Sequence, residues 1–479
     1  MVGKSIPRVD AYEKVTGRAK FTDDLAPANC LVAKILHAKI GNGIVTSIDT
    51  SEAEAMEGVV KVVTFKDVPD HCYPTPGHPW SVELAHQDVA DRNLLTGRVR
   101  YYGDDIAAVV AEDEVTASRA LRKIKVEYEE YPVVIDPKKS MYGSRPPVHF
   151  DKKDNVLVRS NYFIGDVDAG LTQSDLIVKR HYKTPMVQHC HIENPVSYAY
   201  MDKDRIVVVA STQIPHIMRR VIGQALGIPW GRVRVIKPYI GGGFGNKQDV
   251  LYEPLNAFLT MQVGGRPVKL EVSREETFCN TRTRHSIEYD LTAGVDKEGH
   301  LLAKDMKAYS NQGAYASHGH AIAANGLTSW RLQYACPNIR GEAYTVYTNT
   351  PVGGAMRGYG IPQVCFGIES FMDDIAHELQ MDPLEFRRKN LIHGYYEDNY
   401  LKPIAANTNG IFECLEKGAD YIHWDEKRKE YAHQTGSIRR GVGMALFSYK
   451  TGVWPISLEI AGARMSLNQD GSVQQIGRA

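Results

Sequence analysis

The segment Ile240–Asp249, IGGGFGNKQD, places three consecutive glycines directly before a phenylalanine, with a fourth glycine after it. Because glycine has no Cβ, main-chain N–H groups there can approach a ligand closely and form a nest for an anion. The segment does not fit a Walker phosphate loop, because Gln248 follows Lys247 where serine or threonine is required. It does not fit the dinucleotide pattern either, because Asn246 replaces the last glycine. The other interpretation is a tight turn with a structural role only.

A second segment, Thr350–Gln363, reads TPVGGAMRGYGIPQ and places Arg357 between small residues and the aromatic Tyr359. A planar guanidinium on a glycine-lined loop suits phosphate or another oxyanion, because its N–H groups can bind two oxygens at once. This segment therefore predicts an anion-facing arginine. A solvated arginine on a turn is the alternative.

The third segment, Ser211–Arg220, has the sequence STQIPHIMRR and lies between a predicted strand and a predicted helix. Gln213 stands at the amino end of that helix, where its amide can donate a hydrogen bond to an oxo group or an anion. The alternative is a residue that caps the helix.

Three polar residues alternate in the sequence QHCHIEN, namely His189, His191 and Glu193. On a strand they would share one face, as metal ligands can. No further ligand follows from the spacing, so a hydrogen-bonded structural cluster is the favoured interpretation. The same interpretation applies to His318 and His320.

Short predicted strands and helices alternate over the first 140 residues, which indicates a compact α/β domain. Ser51 is predicted to open and cap a short helix that Gly58 ends, and the sequence DEVTASRALRKI predicts another helix. The stretch 132–157 is rich in Pro, Lys, Asp and Gly, and we interpret it as a surface linker. The predicted strands of this region occupy residues 31–38, 44–49, 59–65, 105–110 and 124–128.

A strand, a helix and a strand are predicted next, at residues 206–210, 215–226 and 233–236. Pro215 suits the first turn of the helix and Gly227 its end. Asp382 begins a later helix as an N-cap acid followed by proline. Towards the end of the chain, VGMALFSY and SLEIAGARMSLNQDGSV look strand-like, with an Asp-Gly turn.

The overall composition excludes several classes of protein. Lys and Arg (57) balance Asp and Glu (57), so nothing points to nucleic acid or a membrane surface. The seven cysteines form no Cys-x-x-Cys pair, which predicts neither a zinc site nor an iron–sulfur cluster and favours a reducing, cytoplasmic location. No signal-peptide segment and no long apolar run occurs, so we expect no membrane insertion.

In this order and combination, the segments STQIPH, GGGFGNKQD and AMRGYGIPQ resemble the large subunits of the xanthine dehydrogenase and aldehyde oxidase family. KVTGRAKFTDD, YYGDDIAAVVAE and HIENP extend the resemblance over nearly the whole chain, most closely to bacterial multi-chain xanthine dehydrogenases. The resemblance implies a mixed α/β fold in three parts: an α/β hammerhead domain (8–135), a first molybdopterin-binding domain (158–405) and the start of a second one (406–479).

The resemblance also implies roles for individual residues. Gln213, Gly243, Phe244 and Arg357 would bind a molybdopterin cofactor, either Mo-molybdopterin or its cytosine dinucleotide form. Molybdenum would lie among three of them without a direct protein ligand, because the pterin holds the metal itself. The residues expected around molybdenum are Gln213, Phe244 and Arg357, and those expected around the substrate are Gln248, Met356 and Tyr359.

By the same resemblance, the implied activity is the hydroxylation of a planar N-heterocycle, such as a purine or xanthine, with oxygen derived from water. Electrons would pass to [2Fe-2S] clusters and FAD on an iron–sulfur subunit and an FAD subunit. Nicotinate, another N-heterocycle or an aldehyde are alternative substrates.

This chain departs from the family pattern at three places. Gln248 stands where many purine-oxidising members have a glutamate, and Asn325 lies nearest to an expected arginine. The general-base glutamate of the family, in a Gly-Glu-Pro context, lies beyond this chain, so we expect no catalytic residue here and little activity from the isolated chain. A further chain could supply the missing C-terminal half, or the product is an inactive fragment.

Overall fold

A computed structural model of the chain describes most of the sequence. The described residues are 3–78, 81–83, 87–143, 146–392, 395–396, 404–405, 410–449 and 462–478. No helix among them is both long enough and apolar enough to cross a membrane.

The strands mostly have alternating or fully buried apolar residues, as expected for sheets covered by helices. In chain order they are β1 (Leu31–His37), β2 (Gly43–Asp49), β3 (Val59–Thr64), β4 (Arg98–Val99), β5 (Asp105–Ala111), β6 (Lys125–Glu130), β7 (Val156–Ile164), β8 (Leu176–Lys183), β9 (Val187–Gln188), β10 (Val196–Asp202), β11 (Arg205–Ala210), β12 (Val233–Ile236), β13 (Val268–Glu271), β14 (Thr283–Arg284), β15 (Ile287–Val295), β16 (Leu301–Gly313), β17 (Asn338–Tyr347), β18 (Tyr395–Tyr396), β19 (Ile404–Ala405), β20 (Gly462–Leu467) and β21 (Val473–Arg478).

Helices cover these sheets and connect the strands. In chain order they are α1 (Ala11–Val15), α2 (Ser51–Glu54), α3 (Glu114–Leu121), α4 (Pro137–Gly143), α5 (Val167–Thr172), α6 (Pro215–Leu226), α7 (Glu253–Gln262), α8 (Arg274–Asn280), α9 (Gly319–Leu332), α10 (Ile361–Glu378), α11 (Pro383–Asn390), α12 (Ile411–Tyr421) and α13 (Trp424–Glu430).

The largest sheet has seven strands in the order β12-β11-β10-β13-β1-β5-β3. Its centre joins the N-terminal part of the chain to a segment near the middle of the chain, because β1 pairs in parallel with β13 from Leu31↔Val268 onward. A second sheet has five strands in the order β7-β17-β16-β15-β8, and helices α9 and α10 pack on it. The mixed α/β fold class is confirmed, whereas the domain boundaries stay a prediction.

Helix α6 follows the predicted pattern. Pro215 occupies its first turn, and Gly227 closes it at φ +66°. Met218, Val221 and Ile222 are buried against the large sheet, because they fall on one face at helical spacing. This packing fixes the start of α6, where Gln213 lies, against the sheet.

Three local predictions are wrong. The stretch 132–157 is not a surface linker, because it contains α4 and buries Ser140 and Asn155 in hydrogen bonds. Ser51 does not cap its helix; Asp49 accepts hydrogen bonds from its N–H and hydroxyl instead. The segment 442–449 forms no strand, although Leu446 N donates to Glu369.

The final hairpin is confirmed only in part. β20 and β21 pair antiparallel around the predicted Asp-Gly turn, in which Gly471 has a φ of +79°. The predicted start of this strand-like segment, at residues 457–461, lies outside the described residues.

Candidate functional site

The segment Ile240–Asp249, here called the glycine loop, follows β12 and cannot accept side chains at its glycines. A Cβ on Gly243 would lie 2.5 Å from Gln213 Oε1, and one on Gly245 would lie 2.4 Å from the carbonyl oxygen of Ala355. Phe244 between them has a φ of +52° and is 47% exposed. A non-glycine residue with positive φ is strained, which indicates that the surrounding packing holds this conformation.

A buried ion pair holds the glycine loop from behind. Lys247 Nζ lies 2.7 Å from Glu193 Oε2, which also accepts a hydrogen bond from Gly241 N at 2.9 Å. Burial lowers the pKa of Lys247, and the charge of Glu193 opposes that shift. The loop therefore depends on the HIENP segment for its shape.

The histidines of QHCHIEN take part in the same support. They do not alternate on a strand, because β9 ends at Gln188. His189 Nε2 lies 2.7 Å from the Ala355 carbonyl oxygen, and His191 Nε2 lies 2.9 Å from Asn246 Nδ2. Burial, reinforced by the nearby Lys247, lowers the pKa of His191 to about 4, so it stays neutral at neutral pH. The favoured interpretation, a hydrogen-bonded structural cluster, is confirmed.

Gln213 bridges the glycine loop and α6 without capping the helix. Its main-chain N–H donates to the Lys247 carbonyl oxygen at 2.8 Å, and its Oε1 accepts from Gly245 N at 2.9 Å. Helix α6 has no side-chain cap. Because Oε1 is occupied, the Nε2 group is left to donate, and it has no hydrogen-bond partner among the described residues.

Three consecutive N–H groups in the glycine loop are also without an acceptor. Within the part of the chain that the structure describes, Gly242, Gly243 and Phe244 donate no main-chain hydrogen bond. Together with the free amide of Gln213, they form a concave row of donors. Such a nest binds negatively charged or strongly polar oxygen atoms.

The segment Thr350–Gln363, here called the arginine loop, touches the glycine loop directly. Arg357 N donates to the Phe244 carbonyl oxygen at 2.9 Å, and Arg284 Nη2 donates to the Arg357 carbonyl oxygen at 2.7 Å. The Arg357 guanidinium is exposed and makes no ion pair with any described residue. We call Gln213, Gly242, Gly243, Phe244 and Arg357 together the open rim.

Behind the open rim, polar side chains converge on the hydroxyl of Tyr359. His318 Nδ1 lies 2.8 Å from this oxygen and His78 Nε2 lies 3.2 Å from it. The other nitrogen of each ring faces a carboxylate: His318 Nε2 is 3.2 Å from Asp249 Oδ1, and His78 Nδ1 contacts Asp88 Oδ1. We call these five residues the tyrosine cluster.

Each carboxylate of the tyrosine cluster also has a guanidinium partner. Asp249 Oδ2 contacts Arg282 Nε in a fully buried pair, and Asp88 lies 3.5 Å from Arg220. Burial alone would raise the pKa of Asp249, but Arg282 and His318 hold it well below its usual range. Asp249 therefore keeps its negative charge at neutral pH.

The three residues predicted around the substrate are all half-buried and lie near this cluster. Gln248 is half-buried, and its carbonyl oxygen would be 2.9 Å from a Cβ on Gly77. Met356 is half-buried beside Gly245. Tyr359 is held by its hydroxyl and by Asn325, whose Nδ2 donates to the Tyr359 carbonyl oxygen at 2.7 Å. Their contact with a substrate stays a prediction.

Sequence reasoning missed His78 and Asp88. They come from the N-terminal part of the chain, and no motif or periodicity marks them. Together with His320 they could hold a metal ion. Each of the three side chains offers one possible ligand atom, and these atoms lie within 4.8 Å of one another. Because Arg220 already pairs with Asp88, its positive charge opposes a cation there.

A cleft of about 830 Å³ begins at Arg357 and runs along α10. Ile361, Pro362 and Phe366 form one wall, and Met444 and Phe447 form the other. The open rim thus continues into an apolar surface large enough for a sizeable ligand or another protein segment.

Comparisons with known proteins show which proteins this chain is similar to. A model of the molybdopterin cofactor-binding domain matches residues 148–391, and a model of the aldehyde oxidase and xanthine dehydrogenase a/b hammerhead domain matches residues 16–132. The chain is 47% identical over 467 residues to the putative xanthine dehydrogenase molybdenum-binding subunit XdhA of Escherichia coli (strain K12). That alignment covers 97% of this chain and 62% of the relative, so the chain spans less than two thirds of that relative's length.

Two further proteins are similar. The nicotinate dehydrogenase large molybdopterin subunit of Eubacterium barkeri is 32% identical over 421 residues, which cover 88% of this chain and 96% of that subunit. Among solved structures, the aldehyde oxidoreductase from Desulfovibrio gigas superposes with a TM-score of 0.87 at 29% identity, over 99% of this chain and 52% of that one.

Proposed function

Since the chain belongs to the xanthine dehydrogenase and aldehyde oxidase family and contains its molybdopterin cofactor-binding domain, we propose that it is the molybdenum-binding subunit of a purine or xanthine hydroxylase. The open rim carries this proposal. It combines unpaired main-chain N–H groups, a free amide and an unpaired guanidinium next to a half-buried aromatic wall.

The residues present fit a molybdopterin cofactor. The close approach of Gly243 to Gln213 and of Gly245 to Ala355 leaves a surface without side chains, which a flat, oxygen-rich group can approach. Gln213 Nε2 and the nest of N–H groups would donate to its polar oxygens, and Arg357 would face its negative charge. When bound, the molybdenum centre supplies the activation of water and accepts the electrons of the oxidation.

The chain's own residues would bind and orient the substrate. Tyr359 offers a rigid aromatic wall to a planar ring, and Gln248 offers an amide that can both donate to and accept from ring nitrogen and carbonyl groups. An amide carries no charge, so recognition by Gln248 depends on matched hydrogen bonds. The half-buried position of both residues would exclude water from one face of the ring.

Electrons would leave through [2Fe-2S] and FAD subunits, because the described cysteines are dispersed and form no cluster-binding set. The cleft between α10 and residues 444–449 is where a further protein segment would complete the pocket. Nicotinate hydroxylation is a second candidate, favoured by the subunit of Eubacterium barkeri, which this chain matches over 96% of its length.

A test of the proposal uses the tagged chain purified with its partners from its own host. We expect near-stoichiometric molybdenum and pterin, and incorporation of ¹⁸O from labelled water into a purine. Gly243→Ala should reduce the molybdenum content, because its Cβ would meet Gln213, whereas Gly231→Ala is the matched control with open space around it. Full molybdenum loading of Gly243→Ala would contradict the assigned site, and turnover of nicotinate alone would favour the second candidate.

A further inference from the structure

His37 joins two distant parts of the chain through a pair of carboxylates. It ends β1 within the residues that match the hammerhead domain, whereas Glu276 lies on α8 within those that match the cofactor-binding domain. The register of β1 against β5 shifts between Leu36 and His37, so that His37 lies opposite Asp105. His37 Nδ1 is 2.9 Å from Asp105 Oδ1, and His37 Nε2 is 3.2 Å from Glu276 Oε1.

These contacts require a hydrogen on both ring nitrogens of His37. An ionised carboxylate only accepts hydrogen bonds, whereas a neutral imidazole carries one hydrogen and leaves its other nitrogen as an acceptor. With the hydrogen on Nε2 alone, the Nδ1 lone pair would face Asp105 Oδ1, and neither atom has another hydrogen-bond partner among the described residues. With the hydrogen on Nδ1 alone, the same conflict would arise at Glu276. A positively charged imidazolium removes both conflicts.

Further contacts satisfy the second oxygen of each carboxylate. Asp105 Oδ2 lies 2.5 Å from Arg92 Nη2 in a buried ion pair. Glu276 Oε2 accepts from Ser273 N at 2.6 Å, within the capping box of α8. Burial alone would raise the pKa of Glu276, but His37 and Ser273 lower it to about 2. The positive charges of Arg92 and His37 thus balance the two negative charges.

The surroundings of His37 favour its charged form over a wide pH range. Burial alone would lower the pKa of His37, but the two carboxylates raise it to about 9. The ring therefore stays charged at neutral pH and loses its proton only under alkaline conditions. The other titratable groups that face the two carboxylates are tyrosines, whose pKa values are raised by burial, namely Tyr73, Tyr101 and Tyr252.

Helix α8 in turn supports the glycine loop from both of its ends. At its start, Arg274 Nη1 contacts the His191 carbonyl oxygen. Directly after its end, Thr281 Oγ1 accepts from Asn246 Nδ2 at 3.0 Å, and Arg282 N donates to Asn246 Oδ1 at 3.2 Å. A displacement of α8 would therefore reach the glycine loop through its own hydrogen bonds.

We propose that the His37 imidazolium is a charged clamp between β1 and α8, and that it is a positioning residue for the glycine loop. Loss of its proton would set a lone pair against one carboxylate, so α8 would lose its link to β1. The clamp would therefore open on the alkaline side of neutrality. The consequence for cofactor binding rests on the proposed function, in which the glycine loop lines the cofactor.

Nuclear magnetic resonance of the full chain labelled with ¹⁵N-histidine measures the protonation of His37, which is assigned with His37→Gln. We expect a midpoint about two pH units above the usual histidine value of about 6.5. Glu276→Gln keeps an oxygen for the Ser273 N–H but removes the charge, so the midpoint should fall by about one pH unit.

The matched control is His216, which is exposed and makes no hydrogen bond or ion pair with any described residue. Its midpoint should not respond to Glu276→Gln. A wild-type midpoint of about 6.5 for His37, or a midpoint that Glu276→Gln leaves unchanged, would overturn the proposal.

Thermal unfolding from pH 6 to pH 10 gives a second readout. Because the folded pKa of His37 lies above the unfolded value, its contribution to stability is complete below about pH 6.5 and is lost as the pH rises through about 9. The difference in Tm between wild type and His37→Gln should therefore be largest at pH 6 and shrink towards pH 10. An equal difference at every pH would show that His37 only fills space, which contradicts the clamp.

Molybdenum retention in the complete complex tests the link to the glycine loop. We expect molybdenum to be released as the pH rises through about 9, and about one pH unit earlier in Glu276→Gln. Release at the same pH in both proteins would contradict that link. Because the resonance experiment requires neither cofactor nor turnover, a charged His37 in a complex without molybdenum would contradict only the proposed function.

Discussion

The open rim and the tyrosine cluster lie side by side but differ in how their polar groups are used. On the rim, the Arg357 guanidinium, the Gln213 Nε2 and three N–H groups are without partners among the described residues. In the cluster, each carboxylate, ring nitrogen and hydroxyl touches another polar group. In the proposed function, the free donors of the rim would bind the ligand, and the matched groups of the cluster would hold the rim rigid.

Among the variants that test this difference between rim and cluster, Asp249→Asn should have the largest effect on stability. It leaves the Arg282 charge buried without its partner, and we expect the free energy of unfolding to fall by about 3–5 kcal/mol in urea denaturation. Glu413→Gln is the control, because its pair with Lys417 is exposed and should contribute nothing measurable. A change as small as that of the control would show that the cluster does not stabilise the fold.

The effect of Asp249→Asn should also depend on pH. Because the pKa of Asp249 lies well below its usual range, its charge stabilises the fold at pH values above the unfolded pKa of about 3.9. That contribution is lost as the pH falls towards the folded pKa. Unfolding measured from pH 7 down to pH 3 should therefore show a shrinking difference between wild type and variant.

The next effect concerns the support of the glycine loop. Glu193→Gln leaves Lys247 buried without a negative charge, while the amide oxygen can still accept from Gly241 N. We expect a loss of about 2–3 kcal/mol, smaller than for Asp249→Asn because the Glu193 side chain is partly exposed. A thermal unfolding series compares the two variants, and an equal or larger loss at Glu193 would reverse this order.

Substitutions on the open rim should affect the ligand and not the fold. Arg357→Ala and Phe244→Ala remove exposed side chains, so unfolding should change by less than about 0.5 kcal/mol. In the complete complex we expect molybdenum content or kcat to fall about tenfold. Normal molybdenum content and normal turnover in both variants would remove these residues from the site.

The smallest expected effect comes from Gln248→Glu. The substitution changes charge but not size at a half-buried position, so stability should be preserved. We expect the ratio of kcat/KM values among several purines to change by a few-fold, because a carboxylate can only accept hydrogen bonds. Unchanged constants over the whole series would show that Gln248 lies outside the pocket.

A site residue can be predicted from the sequence when the residues that mark its role lie close together in the chain. Gln213, the glycine loop and the arginine loop each carry their chemistry within ten or so residues, and the structure brings all three together. The family resemblance based on them is confirmed. His78 gives no such signal, because it meets Tyr359 across 281 residues and belongs to a segment without a motif.

The local errors have physical causes as well. Composition indicated a linker at 132–157, but Ser140 and Asn155 satisfy buried main-chain groups there, so polar residues occupy an interior position. The strand-like sequence of 442–449 predicted a strand. Such a sequence supplies no neighbouring strand, and here the backbone of Leu446 bonds to the side chains of Glu369 and Gln333 instead.

The parallel pairing of β1 with β13 has a consequence for how the chain folds during synthesis. About 240 residues separate Leu31 from Val268, so a ribosome adding roughly 5–20 residues per second needs on the order of 10–50 s to supply the second strand. During that time one edge of β1 is without its partner, and such edges invite association with other chains. The large sheet therefore cannot close until residues 268–271 have been synthesised, and one edge of β1 stays open until then.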